Sequence, residues 1–192
     1  MTEPAKRGRP RSEQVGGAVL TAALELAGEV GIAKMSMDEL ARRADVSKAT
    51  IYRRWSSKEE LVLDALRSAI SPIDDVDTGS LRGDLDRFLE QIVARFEQSS
   101  MNDVLPHLIE AACHDRSIQA SLDDWVRVRR LPLRGIYERA AQRGDIDADA
   151  DIEVLIDATI GPFVYRRLLT RQPIDAGFAS RLVALVAPAA PS

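Results

Sequence analysis

Ser36-Met37-Asp38-Glu39-Leu40-Ala41-Arg42-Arg43-Ala44-Asp45-Val46-Ser47-Lys48-Ala49-Thr50-Ile51-Tyr52-Arg53-Arg54-Trp55-Ser56-Ser57-Lys58-Glu59-Glu60 decides how the chain is read. Ser36 with Glu39, and Ser57 with Glu60, each match the capping box, in which a serine and a glutamate satisfy one another's free backbone amides. Both mark helix starts. Between them, Leu40, Ala41, Ala44, Val46 and Ile51 fall where two crossing helices must interlock, with Ala41 small at the closest approach. Asp45 falls in the turn, and aspartate tolerates left-handed backbone better than most residues. The second helix, opening at Ser47, displays hydroxyls, a tyrosine and cations. A tight two-helix unit with such a face fits the major groove of DNA.

Outward from this unit the chain reads as helix throughout. Upstream, Val15, Val19, Ala22, Ala23, Leu26, Ala27 and Val30 recur at helical spacing over residues 13–30, and Gly31 follows where a left-handed cap would sit. Gly28 weakens that helix by roughly 1 kcal/mol relative to alanine. Residues 1–12 hold Lys6, Arg7, Arg9 and Arg11 around Gly8 and Pro10 and read as a flexible basic arm. Downstream, Leu61, Val62, Ala65, Leu66 and Ala69 carry a fourth helix from Lys58 to about Ile70. The segment Ser71 to Gly79 reads as a linker or loop. Further helices are expected over 80–98, 102–113, 117–142, 149–170 and 175–187. The fold class is therefore all-α: a three-helix DNA-binding domain over 13–70, including the start of the fourth helix, and a helical body over 71–192.

Bulk properties narrow the function. The chain has 192 residues, 26 Lys and Arg against 30 Asp and Glu, and a net charge of −4. Residues 1–67 hold 12 of the basic and 10 of the acidic residues, which leaves 14 and 20 for the rest. An acidic total argues against indiscriminate coating of nucleic acid, yet it allows one basic face. Cys113 is the single cysteine, so no intramolecular disulfide exists and a reducing cytoplasm is expected. No apolar run approaches the ~20 residues of a membrane helix.

Residues 19–66 resemble the N-terminal domain of the tetracycline-repressor (TetR) family of bacterial transcription regulators. The resemblance rests on Val19-Leu20-Thr21-Ala22-Ala23-Leu24-Glu25-Leu26, Gly31, Ser36-Met37-Asp38-Glu39-Leu40-Ala41, Val46-Ser47-Lys48-Ala49-Thr50-Ile51-Tyr52 and Ser57-Lys58-Glu59-Glu60-Leu61. Ala27, Asp45 and Trp55 depart from the usual Phe, Gly and Phe, which bears on packing only. The resemblance implies that Ser47, Lys48, Ala49 and Thr50 open a recognition helix. Lys48 would donate to guanine, and Ala49 and the Thr50 methyl would touch a thymine methyl. Tyr52 would donate to a phosphate, Arg53 or Arg54 would reach backbone or base, and Lys58 would form a second phosphate anchor. Ser36 is chiefly a cap with a secondary phosphate role. Trp55 is read as core, and Arg42 and Arg43 as a solvated face. The Arg7-Gly8-Arg9-Pro10-Arg11 arm resembles an AT-hook core suited to a narrow minor groove.

The helix over 149–170 carries two apolar stripes. Ile152, Leu155, Ile156, Thr159 and Phe163 form one; Val154, Ala158, Gly161, Tyr165 and Leu168 form the other, about 200° around the helix. Two stripes imply burial on both sides, so the second is expected to pair with a symmetry mate, together with Phe178, Leu182, Leu185 and Val186 of the last helix, as a homodimer. Pro162 is expected to kink the helix. The family resemblance further implies a cavity for a small-molecule effector, for which Phe88, Phe96, Met101, Trp125, Tyr137 and Phe163 are candidate lining residues. Expected partners are thus a double-stranded operator, a second copy and an unidentified effector, with no cofactor.

An enzyme needs a constellation that is hard to find here. Cys113 and His114 point about 100° apart on one helix. His107, Glu110 and His114 share a face at a spacing a metal can use, but Leu105, Leu108, Ile109 and Ala112 occupy the opposite, core-facing stripe. No metal is assigned. No Gly-rich phosphate loop or nucleophile–base pair stands out.

Overall fold

A computed structural model describes residues 10–69, 73–98 and 101–187, apart from the side chains of 10–14, 96–98 and 101–102. Nine α-helices run through the described residues: α1 (Pro10–Val30), α2 (Met37–Arg43), α3 (Lys48–Tyr52), α4 (Lys58–Ala69), α5 (Leu81–Gln98), α6 (Met101–His114), α7 (Arg116–Arg143), α8 (Ile152–Tyr165) and α9 (Ala176–Val186). The chain divides into two compact units, Met1–Ser71 with Ser100–Leu122, and Pro72–Ser99 with Asp123–Ser192. Residues 100–122, which the sequence suggested belong with the body, therefore cluster with the N-terminal helices.

The first unit is built on α1. Its buried stripe of Val19, Ala22, Ala23, Leu26 and Ala27 packs with α2, α4 and α6. Leu61, Val62, Ala65 and Leu66 of α4 and Val104, Leu108 and Ala112 of α6 complete the core. Ile109, expected on the core-facing stripe of α6, is exposed instead. Helix α1 begins at Pro10, earlier than the apolar pattern indicates. Proline is pre-organised for a first helical turn, because its missing N–H would have no partner there. Arg11 is consequently helical, not part of an extended arm, while Arg7 and Arg9 lie outside the described residues.

The second unit gathers Leu85, Phe88 and Leu89 of α5, Leu133, Ile136, Tyr137 and Ala140 of α7, Ile156 and Phe163 of α8, and Phe178, Leu182 and Val183 of α9 into one core. Asp151 and Asp175 cap α8 and α9 by accepting from backbone amides. At its other end α8 gives way to a π-helical turn, Arg166–Thr170, closed by Arg171 at φ 51°. The departure from α geometry thus lies just past Pro162. Inside the core the Tyr137 hydroxyl and Thr159 Oγ1 are 2.6 Å apart, and Thr159 also donates to the Leu155 carbonyl. Asp84 is fully buried and accepts from the Thr78 hydroxyl at 2.8 Å and from Arg143 at 2.9 Å.

One expectation needs correction. Phe178 and Leu182 were placed on the outer pairing face, but both are buried within this core, where the Phe178 and Phe163 rings meet edge to face at 5.1 Å. Helix α9 shares its apolar residues between two faces, and spacing in a single helix does not say which face meets the protomer's own core.

Candidate nucleic-acid interface

Both turns that set the two-helix unit have the predicted backbone. Gly31 caps α1 at φ 78°, and Asp45 sits at φ 52° between α2 and α3. The Val46 amide then donates to the Ala41 carbonyl at 3.0 Å, which turns the chain sharply into α3. Ser47 starts α3 by accepting from the Thr50 amide at 3.2 Å, and its hydroxyl lies 3.0 Å from that of Thr50. Ser36 accepts from the Glu39 amide at 3.5 Å and Ser57 from the Glu60 amide at 3.0 Å. The reciprocal half of the second box shifts by one residue: Glu60 accepts from the Ser56 amide at 2.8 Å and the Ser56 hydroxyl at 2.6 Å. Those bonds hold the Glu60 carboxyl below its ordinary range.

Helix α3 is clamped by one side chain and open elsewhere. Ile51 is completely buried, while Ser47, Lys48, Ala49, Tyr52, Arg53 and Arg54 are exposed and Thr50 is half-buried. Tyr52 is 54% exposed with its ring outside the core. An exposed aromatic ring beside a run of cations has no packing role, and its hydroxyl is placed to donate outward. The face therefore offers Lys48, Arg53 and Tyr52 around the small Ala49.

Neighbouring groups tune these cations. Lys48 Nζ lies 2.8 Å from Asp38 Oδ1, and that hydrogen bond raises the lysine pKa above its ordinary value. The ammonium is thus held charged, with a carboxylate standing where a base edge or phosphate would be. Arg54 differs from Arg53. Its guanidinium lies 4.8 Å from the Trp55 ring centroid and directly above Gly16 of α1, where an added Cβ would stand 2.5 Å from Nη1. Trp55 itself is core, as expected, and its indole donates to Asp64 at 2.9 Å. Lys58 donates to the Ala33 carbonyl at 2.6 Å, a bond it must exchange before anchoring a phosphate. Arg42 and Arg43 grip Glu39, and Arg43 also bridges to Glu29 at 2.8 Å. The arginine hydrogen bonds lower the Glu39 carboxyl to about 2.

Sequence reading missed Asp38 as the partner of Lys48 and Gly16 as the seat of Arg54. The first is an acid in the opening turn of α2 that local pattern assigns to the helix dipole. The second depends on how α1 crosses the turn after α3, which no local spacing reveals.

The remaining candidates lie in the second unit. Phe88, Tyr137 and Phe163 are packed inside its core, Trp125 is buried on α7, and the Phe96 and Met101 side chains lie outside the described residues. Of the expected pairing residues, Val154, Ala158, Gly161, Tyr165 and Leu185 are exposed, and Leu168 and Val186 are half-buried.

Comparison with known proteins agrees with this geometry. Residues 19–65 match the family model described as bacterial regulatory proteins, tetR family, and residues 75–186 match the tetracyclin repressor-like C-terminal domain. The chain is 37% identical to the HTH-type transcriptional regulator YdeS of Bacillus subtilis, covering 93% of this chain and 90% of that protein. It is 34% identical to a DNA-binding transcriptional repressor TetR of Mycobacteroides abscessus, covering 90% and 92%. Among solved structures, the TetR family transcription regulator SCO0332 superposes with a TM-score of 0.68 at 30% identity, covering 93% of this chain and all of that one.

Proposed function

Because the chain belongs to the TetR family of DNA-binding transcriptional regulators, we propose that it represses transcription from a pseudo-palindromic operator, which it grips as a homodimer and releases when a small molecule binds the second unit. The observation that carries this reading is the α3 face: one buried residue, Ile51, with Ser47, Lys48, Ala49, Tyr52 and Arg53 turned outward.

The roles follow from donor chemistry. Lys48 leaves Asp38 to donate to guanine O6 or N7, and Ala49 with the Thr50 methyl meets a thymine methyl. Tyr52, Arg53 and Lys58 donate to phosphates and fix register without reading sequence. Ser36 contributes at most one phosphate contact, because its hydroxyl is already the cap of α2. Arg54, stacked on Trp55, holds α3 against α1 and reaches the duplex only by leaving that seat. Arg7, Arg9 and Arg11 add minor-groove or backbone attraction from the N-terminal side.

Two half-sites one DNA turn apart require two copies of α3, which the exposed stripe of α8 provides by pairing. Release by an effector requires that it bind the DNA-free arrangement more tightly than the DNA-bound one. In a mobility-shift titration against a duplex selected from random sequence, Lys48→Ala and Tyr52→Ala are each expected to weaken binding about 10-fold or more, on the ~1–3 kcal/mol scale of such contacts. Their elution volume on size exclusion should not change. Wild-type affinity in both variants would remove α3 from the reading role.

A further inference from the structure

The core-facing stripes of α5 and α7 are apolar along most of their length, and each is interrupted by an arginine. On α5 the series Leu81, Leu85, Phe88, Ile92 is followed at helical spacing by Arg95; on α7, Trp125 and Arg129 precede Leu133, Ile136 and Tyr137 on the same face. Arg129 lies over the Trp125 ring, 4.4 Å from its centroid. Trp125 is 8% exposed, and its indole N–H is buried with no hydrogen-bond partner. Arg95 Nη1 and Arg129 Nε are likewise sealed from water.

Such a cluster is chemically one-sided. An indole nitrogen and two guanidinium groups donate hydrogen bonds and accept none. A buried donor left unsatisfied costs about 1–3 kcal/mol, and more where the group is charged. Burial, and then the like charge of Arg95, push the Arg129 pKa down, so the field at that guanidinium is net positive. Asp74 acts in the opposite sense on Arg95, whose pKa burial lowers. What complements this arrangement is an acceptor that carries negative charge, and what complements the indole face and the adjoining apolar stripes is a hydrocarbon body.

We infer that Arg95, Trp125 and Arg129 form the anion-binding end of a ligand site in the second unit, and that its ligand is a small organic carboxylate with an aryl or alkyl body. This inference rests on the effector reading above and supplies its ligand class. The carboxylate accepts from the Trp125 N–H and from one or both guanidiniums, in the charge-assisted manner that arginine favours.

The test uses the full-length, DNA-free protein and calorimetric titration at physiological ionic strength with benzoate and decanoate, their neutral amides benzamide and decanamide, and inorganic phosphate. At least one carboxylate should bind saturably and at least 10-fold more tightly than its amide and than phosphate. Arg129→Met and Arg95→Met, which keep side-chain length without the charge, should each weaken that carboxylate about 10-fold and leave the amide unchanged. Trp125→Phe should weaken it severalfold by removing only the N–H. Amide or phosphate binding as tight as carboxylate, or no saturable carboxylate binding to the wild type, overturns the inference without recourse to any variant. Operator affinity of the same preparation, measured by mobility shift, reports on the regulator reading separately. Intact DNA binding with no carboxylate binding therefore sinks only this site.

Discussion

Gly28 and Gly31 stand three residues apart at the end of α1 and answer to different constraints. Gly31 has φ 78°, and a Cβ there would also meet His107 Cε1 at 3.0 Å. Gly31→Ala is expected to destabilise the first unit by about 1–2 kcal/mol from the left-handed backbone alone, read as a lowered urea midpoint. Gly28 is helical, and its added Cβ would meet Asp103 Cβ at 3.5 Å, an ordinary contact. Gly28→Ala should therefore stabilise, by up to about 1 kcal/mol of helix propensity; a lower midpoint would mean that α6 packs more tightly on α1 than this distance implies. Asp38 presents the functional counterpart. Its bond to Lys48 is an exposed ion pair of about 0–1 kcal/mol, and its carboxylate also repels phosphate. Asp38→Asn should thus raise affinity for non-operator duplex severalfold at low salt and narrow the ratio of specific to non-specific binding. An unchanged ratio in competition assays would show that Asp38 leaves Lys48 unhindered on DNA.

Among the elements, those whose ends carry chemistry were legible from the chain and those defined by remote packing were not. Capping serines at 36, 47 and 57 and the left-handed turns at Gly31 and Asp45 fixed α2, α3 and α4 almost to the residue, because each signal is local and satisfied within one turn. The start of α1 was misjudged because Pro10 and its neighbours carry no apolar period, and the face that α9 presents to its own core because two stripes compete. The loop before α5 depends on a contact no pattern shows: Asp84 accepts from Thr78 and from Arg143, 59 residues later. Burial raises the Asp84 carboxyl, but the Thr78 amide and hydroxyl and the Arg143 guanidinium outweigh it, so the folded-state pKa falls below the ordinary value. A depressed carboxylate contributes stability above its unfolded pKa and loses it as pH falls through that range toward the folded value. Asp84→Ala should cost roughly 3–5 kcal/mol at neutral pH by leaving Arg143 without this buried partner, read from chemical denaturation. The gap between wild type and Asp84→Asn should shrink as pH is lowered from 7 to 3; a gap independent of pH would mean that Asp84 stabilises by shape and not by charge.

At the scale of the whole molecule, the question is what covers the outer stripe of α8. Val154 is 59% exposed and Tyr165 57%, and they share a face with Ala158 and Gly161, at spacings of four, three and four residues. Leu169 and Leu185, 73% and 76% exposed, extend the apolar surface past the end of α8 and along α9. A contiguous apolar surface of this kind, with small residues at its centre, suits a second backbone crossing closely. No atom lies within 4 Å of an added Cβ at Gly161, so substitution there leaves the protomer's own packing intact. Gly161→Arg would place a cation and a long side chain at the crossing point of two symmetry-related helices, and each copy would meet the other's. The variant is expected to keep its helical circular dichroism, to run at about 21 kDa on analytical ultracentrifugation, and to lose at least 100-fold in operator affinity, because a single α3 reads only half a site. Lys48→Ala should show the reverse pattern, with dimer mass retained and DNA affinity lost. A Gly161→Arg protein that still sediments as a dimer and binds its operator normally would place the pairing surface elsewhere on the second unit and leave the α8 stripe without a role.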